Sequence, residues 1–142
     1  MEKLTESQED YLEEIYLQVL RNGCAKVTDI SKNLNVKKAS VSGALNTLQK
    51  RGLINYAPYA PITLTLSGEH QAQKILLRHN TMTKFFVEVL GLSQEESVEN
   101  ACRIEHAMSE KLFDKAIKLY NIIKDYAQKD ESFKNALDSL KK

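Results

Sequence analysis

Apolar residues settle into a helical rhythm within the first twenty positions. Tyr11, Leu12, Ile15, Tyr16, Val19 and Leu20 form one stripe behind Thr5-Glu6-Ser7-Gln8, which matches a capping box, so a helix is predicted that ends near Gly23. Two shorter helices follow. Thr28 is the predicted cap of the first, with Ile30 and Leu34 inward; Asn35-Val36 turns the chain; Val41, Ala44, Leu45 and Leu48 line the second, and Gly52 stops it. The period then drops to two. Leu53-Ile54-Asn55-Tyr56 and Ile62-Thr63-Leu64-Thr65-Leu66 read as the strands of a half-buried hairpin, with Leu64 and Leu66 on the inner side and a tip at Ala57-Pro58-Tyr59-Ala60-Pro61 stiffened by its prolines. Helical spacing returns at Ser67, the predicted cap of a long helix reaching about Leu90 and stopped by Gly91. Its apolar positions, from Ile75 and Leu76 through Met82, Phe85 and Phe86 to Val89 and Leu90, are too many to hide under one small hairpin and predict a second core or a subunit interface. Ser93 and Glu96 open another helix, with Val98, Ala101, Ile104, Met108 and Leu112 as its apolar contacts, and amphipathic segments continue to Leu140.

Two short helices across a tight turn, with a hairpin directly after, define a winged helix-turn-helix. The expected fold class is mainly α with a small β-hairpin, divided into a winged helix-turn-helix domain at 1–70 and a helical domain at 71–142. A length of 142 residues suffices for one core or two small ones, and 42% hydrophobic with 27% charged residues excludes disordered and collagen-like chains. No apolar run approaches the roughly 18 residues of a membrane span, and Met1-Glu2-Lys3 does not open a signal peptide, so a cytoplasmic protein with no membrane partner is expected. Cys24 and Cys102 stand in unrelated contexts and suggest no disulfide framework, in keeping with a reducing compartment.

A net charge of +1 hides a strong asymmetry. From Arg21 to Arg51 seven basic residues face the single acid Asp29, a net of +6; from Phe85 to Asp114 seven acids face Arg103 and Lys111, a net of −5. The basic stretch suits phosphates and the acidic one suits cations. On the second helix of the helix-turn-helix, Lys38, Ser40, Ser42, Gly43, Asn46 and Thr47 are left outside. Small hydrogen-bonding side chains there suit a helix that enters a major groove about 12 Å wide, with Lys37, Lys38, Lys50 and Arg51 for phosphates. The DNA-contact set is Lys26, Thr28, Lys37, Lys38, Ala39, Ser40, Ser42, Gly43 and Asn46, with Tyr59 at the wing. A three-helix protein-interaction module with a solvated basic face accounts for the same pattern.

In the acidic half, Cys102-Arg103-Ile104-Glu105-His106 puts a thiol, a carboxylate and an imidazole within one helical turn, at i,i+3 and i,i+4. That is half of a metal site. A small core cysteine beside a surface Glu-His pair explains the same residues. Asp10 and Glu13 share a face of the first helix at i,i+3, where acids also serve the helix dipole, and His79 stands alone on the long helix.

The order of winged helix-turn-helix, long helix with Arg78-His79 and then Ala101-Cys102-Arg103-Ile104-Glu105-His106-Ala107-Met108-Ser109-Glu110 resembles the diphtheria-toxin-repressor and MntR family of metal-activated transcriptional repressors. Glu9-Asp10-Tyr11-Leu12-Glu13-Glu14-Ile15-Tyr16 carries the same resemblance, which covers essentially the whole chain. It implies a dimerising, metal-sensing C-terminal domain and one metal site formed by Asp10, Glu13, His79, Cys102, Glu105 and His106. It also implies the short form of the family, without an SH3-like third domain. Asp10 is similar to the manganese-responsive type and Cys102 to the iron-responsive type. The iron type's ancillary site uses a glutamate and a histidine where Thr83 and Val98 stand, so that site is absent or rebuilt with Glu99. The implied cofactor is Mn(II) or Fe(II), with Co(II), Ni(II) or Zn(II) able to substitute, since a thiolate biases toward the softer ions.

The expected function is a homodimeric, metal-activated repressor of transition-metal homeostasis genes, joined through its C-terminal helices and bound to palindromic double-stranded operator DNA. The alternative is a winged-helix regulator answering to a small molecule or partner without metal. A metal-dependent hydrolase is disfavoured, because no general base stands apart from the ligand set and the basic helix-turn-helix is left without a role. No catalytic residue is assigned.

Overall fold

The computed structural model describes residues 2–142; Met1, which the reading of the chain's start included, lies outside the described residues. The elements run α1 (Glu6–Asn22), α2 (Val27–Leu34), α3 (Lys38–Lys50), β1 (Ile54–Asn55), β2 (Thr63–Leu64), α4 (Leu66–Glu88), α5 (Gln94–Glu105), α6 (Glu110–Lys129) and α7 (Glu131–Ser139). They fall into two units that meet in sequence at Leu76 and Leu77, so α4 supplies residues to both.

In the first unit, Thr5 caps α1 through the full reciprocal box with Gln8, as its sequence requires. One face of α1 packs with α2, α3 and the start of α4 around Leu12, Ile15, Ile30, Val41, Leu45, Leu48, Leu53 and Ile62, and Ala72 and Ile75 close this core. Each fully buried Leu or Ile stabilises the unit by about 1.5–3 kcal/mol relative to exposure. β1 and β2 pair antiparallel, Ile54 opposite Leu64 and Asn55 opposite Thr63, and Ala25 bridges to Ile62 with hydrogen bonds of 2.8 and 2.9 Å.

The hairpin is shorter than its alternating pattern predicts. Ile62 and Leu64 point inward, while Leu66 is exposed because it already opens α4. Thr65, not Ser67, caps that helix: its hydroxyl accepts from the Gly68 amide at 3.0 Å and donates to the Gly52 carbonyl at 2.6 Å. Gly68 is required by packing, since a Cβ there would lie 1.8 Å from the Leu53 carbonyl oxygen. Thr28 likewise does not cap α2; the chain enters that helix at Lys26.

The second unit has its own core of Met82, Phe86, Ala101, Met108 and Phe113, with Phe85, Leu90, Leu92, Ala116 and Ile117 against it. Ser93, Ser109 and Asp130 cap α5, α6 and α7 with their side chains. The helix predicted to carry Val98, Ala101, Ile104, Met108 and Leu112 ends at Glu105, so Met108 lies in the connection and Leu112 in the first turn of α6; Ala101 and Met108 are buried, whereas Val98, Ile104 and Leu112 are exposed. Between α4 and α6 the Tyr120 hydroxyl donates to Glu88 Oε2, and Lys124 Nζ stands 3.2 Å from the same oxygen. Hydrogen bonding by Tyr120 holds the Glu88 carboxyl below the ordinary glutamate range, and burial raises the Tyr120 phenol. Tyr126 and Phe133, with ring centroids 5.5 Å apart, join α6 to α7.

Candidate metal centre and DNA interface

In the second unit, α5 ends at Glu105, and His106 caps it in helical geometry, which keeps the three-residue spacing of the sequence on one surface. The ligand atoms of Cys102, Glu105 and His106 all lie within 4.8 Å of one another. Glu105 is 1% exposed. Its Oε2 is 3.0 Å from Nδ1 of His79 on α4, and its Oε1 is 3.4 Å from Nε2 of His106. Oε1 accepts no hydrogen bond, an expensive arrangement for a buried carboxylate oxygen. A cation answers that defect, and two imidazoles, a carboxylate and an exposed thiol are donors that divalent transition metals accept. The residues therefore fit a metal ion.

Thr83 fixes the turn of α4 behind His79 by donating its hydroxyl to the His79 carbonyl at 2.8 Å. Glu99 is exposed and paired with Arg103 at 2.7 Å. Asp10 and Glu13 stand half-buried on α1 in the first unit.

The first unit carries the second site. On α3, Lys38, Ala39, Ser40, Gly43 and Asn46 are exposed and Ser42 is half-buried, opposite the core face of Val41, Leu45 and Leu48. A Cβ on Gly43 would meet nothing within 4 Å, so no neighbour in the protein demands a glycine there. The surface of α3 is smooth at its middle, as close approach of a ligand requires.

α2 and α3 also share a peculiarity at their N-termini. Their N-cap residues are Lys26 and Lys37, and neither makes a side-chain capping bond, whereas α1, α5, α6 and α7 all have one. The positive end of each helix dipole is thus flanked by lysine and carries no side-chain acceptor from its own N-cap residue. A cleft of about 660 Å³ lies beside them, with Lys26, Thr28, Lys38 and Ser42 on one wall and Tyr56, Pro58 and Tyr59 of the wing on the other.

Arg51, expected to be available to phosphates, is engaged within the protein. It is half-buried, donating to Gln8 Oε1 at 3.1 Å and to the Glu2 carbonyl, and so ties the segment before α1 to the end of α3.

A second network was missed in the sequence. Gln18, 2% exposed, donates to Glu14 Oε1 at 2.8 Å and accepts the Lys26 amide at 3.2 Å, while Asn33 donates to Glu14 at 2.6 Å. It joins α1 to both ends of α2. The available signal was a polar residue inside an apolar stripe, since Gln18 follows Ile15 by three and Tyr11 by seven.

A winged helix-turn-helix with an open, lysine-flanked reading helix, followed by a helical unit holding a cluster of metal-type donors, defines a DNA-binding regulator of the metal-dependent class. The comparisons with known proteins agree. Residues 3–62 match the N-terminal DNA-binding domain of the iron-dependent repressors, and residues 65–132 match their metal-binding and dimerisation domain. The chain belongs to the iron-dependent repressor family.

It is 42% identical over 113 residues to an uncharacterised HTH-type transcriptional regulator of Methanocaldococcus jannaschii, covering 79% of this chain and 90% of that one. To the HTH-type transcriptional regulator MntR of Bacillus subtilis it is 30% identical, over 97% of this chain and 94% of that one. Among solved structures, IdeR of T. acidophilum superimposes with a TM-score of 0.71 at 33% identity, over 85% of this chain and 56% of that one. The chain thus spans little more than half the length of that solved relative.

Proposed function

We propose that the protein is a homodimeric repressor whose affinity for a palindromic operator is raised by a divalent transition metal, Mn(II) or Fe(II), held by His79, Cys102, Glu105 and His106. Asp10 and Glu13 are the further ligands that the family resemblance assigns. The observation that carries the reading is the buried Glu105 carboxylate, set between two imidazoles with one oxygen accepting no hydrogen bond. Relatives named MntR and a solved structure described as a manganese-dependent transcriptional repressor complex with manganese support Mn(II). The Cys102 thiol supports Fe(II), because a soft ligand disfavours manganese.

A bound divalent ion would supply positive charge beside the buried Glu105 carboxylate. Glu105 helps to set the position of the donors, because one of its oxygens lies 3.0 Å from His79 Nδ1 and the other 3.4 Å from His106 Nε2. Thr83 keeps the His79 turn in place. On the DNA side, Ser40, Ser42, Gly43, Asn46 and Ala39 of α3 face base edges, Lys26, Lys37 and Lys38 neutralise phosphates, Thr28 offers a hydroxyl beside them, and Tyr59 reaches the duplex from the wing.

For a two-fold dimer the recognition helices meet half-sites about 34 Å apart. Leu112, Leu119, Ile122 and Tyr126 form an exposed apolar stripe along α6, inside the domain that the family uses for dimerisation, and they favour that helix as part of the joint.

The test is selection of duplexes from a random pool by metal-stripped, reduced protein in chelator, in Mn(II) and in anaerobic Fe(II). Enrichment of a palindrome with metal alone supports metal activation, and the better of the two ions identifies the cofactor. Equal enrichment in chelator refutes metal activation and leaves the winged helix standing.

A further inference from the structure

Among the described residues, Asn35 and Tyr59 have positive φ without being glycine, at 53° and 64°. Asn35 explains itself, because asparagine tolerates this conformation and here ends α2. Tyr59 does not. The Ala60 amide bonds to the Ala57 carbonyl at 3.1 Å, with Pro58 and Tyr59 between them, so Tyr59 fills the third position of a β-turn that favours glycine. Its side chain is wholly exposed, so no packing in the protein repays the unfavourable backbone. An aromatic ring is held at the wing tip, braced by Pro58 and Pro61, and offered to something outside.

The cleft beside it says where that is. One wall is the reading helix and the start of α2, the other is the wing. With α3 in a major groove, the strand of sugar and phosphate that borders the groove lies in this cleft, against Lys26 and Lys38. The next groove beyond that strand would be the minor groove, on the wing's side of the cleft.

We infer that Tyr59 is a specificity residue of the operator complex, entering the minor groove that flanks each half-site and packing its ring against the deoxyribose walls. This rests on the assignment of α3 to the major groove. A neutral ring reads shape rather than charge: it favours A·T pairs, whose minor groove is narrow and clear, over G·C pairs, whose guanine amino group projects into it.

The experiment uses the full chain with the metal that supports binding and the operator selected above, carrying A·T, G·C or inosine·cytosine pairs in turn at each flanking position. Inosine keeps the major-groove face of guanine and removes the minor-groove amino group. The parent is expected to bind about tenfold more weakly when one flanking pair becomes G·C, with inosine·cytosine restoring affinity. Tyr59→Gly is expected to lose this discrimination and to bind the A·T operator about tenfold more weakly, with the same salt dependence, since no charge is removed. Tyr59→Phe keeps the discrimination. Free Tyr59→Gly is expected to melt no lower than the parent, which separates the loss from misfolding.

Discrimination and affinity unchanged in Tyr59→Gly overturn the inference. If Asn46→Ala and Lys38→Ala weaken binding while Tyr59→Gly does not, the inference alone falls. If the parent enriches no duplex under any metal, the DNA reading falls and takes the inference with it.

Discussion

Gln18→Met tests whether the network at the joint of α1 and α2 holds the reading unit together. Methionine keeps the length and flexibility of the side chain and removes both hydrogen bonds. The bond from Gln18 Nε2 to Glu14 Oε1, 2.8 Å long and to a carboxylate, is worth about 1.5–3 kcal/mol, and the neutral bond from the Lys26 amide, at 3.2 Å, about 1 kcal/mol. Two offsets apply. Lys26 is exposed, so its amide recovers water, and Glu14 keeps Asn33 at 2.6 Å. The buried thioether also gains transfer free energy that the amide lacked. The net expectation is a loss of about 2 kcal/mol. Urea unfolding followed by far-ultraviolet circular dichroism reads it as a lower midpoint at unchanged slope, with exposed Gln49→Met as the unaffected control. A loss below about 0.5 kcal/mol, the range of neutral surface substitutions, refutes a supporting role for the network.

Metal at one hundred times its dissociation constant stabilises the parent by about 2.7 kcal/mol; Glu105→Gln is expected to lose most of that thermal shift, and an undiminished shift removes Glu105 from the ligand set. Lys38→Ala lowers the slope of log affinity against log salt by about 1 for duplexes of any sequence, measured by fluorescence anisotropy. Gly68→Ala destabilises by about 3 kcal/mol or more because its methyl group meets backbone at Leu53, where no side chain can yield; chemical denaturation reads the loss. Tyr120→Phe raises the Glu88 pKa toward the ordinary glutamate range, seen in an NMR titration. Since the folded-state pKa is depressed, the Glu88 contribution in the parent is present at neutral pH and fades as pH falls through that lowered value; the variant keeps only the weaker part of this acid dependence that Lys124 and Lys84 supply.

The elements were largely legible because each is a local pattern: a capping box at Thr5, a 3.6-residue stripe, a change to period two at Leu53. The errors fell where a choice between neighbours depends on tertiary fit. Thr65 rather than Ser67 caps α4 because its hydroxyl also reaches the Gly52 carbonyl, thirteen positions back. Val98, Ile104 and Leu112 have the periodicity of a buried face, yet periodicity says only that residues share a side and not that a protomer supplies the cover. For the site, the grouping of Cys102, Glu105 and His106 is helical arithmetic, while the 3.0 Å approach of His79 to Glu105 joins two helices and came from the resemblance alone. The bonds of Arg51 to Gln8 and to the Glu2 carbonyl were not legible either, because a basic residue at the end of a recognition helix looks the same in sequence whatever it pairs with.

The lysine caps of α2 and α3 set a trade-off for anyone who wants a hardier protein. Placing Asp or Ser at Lys26 and Lys37 would complete two helix ends and add about 1 kcal/mol each. The same substitutions would occupy from within the amides that a phosphate should reach and, with Asp, reverse the charge that draws it in. If phosphates do meet these helix ends as proposed, a screen for thermal resistance would select chains that survive heat and bind DNA less tightly, so that stability and gene silencing pull the same two positions in opposite directions.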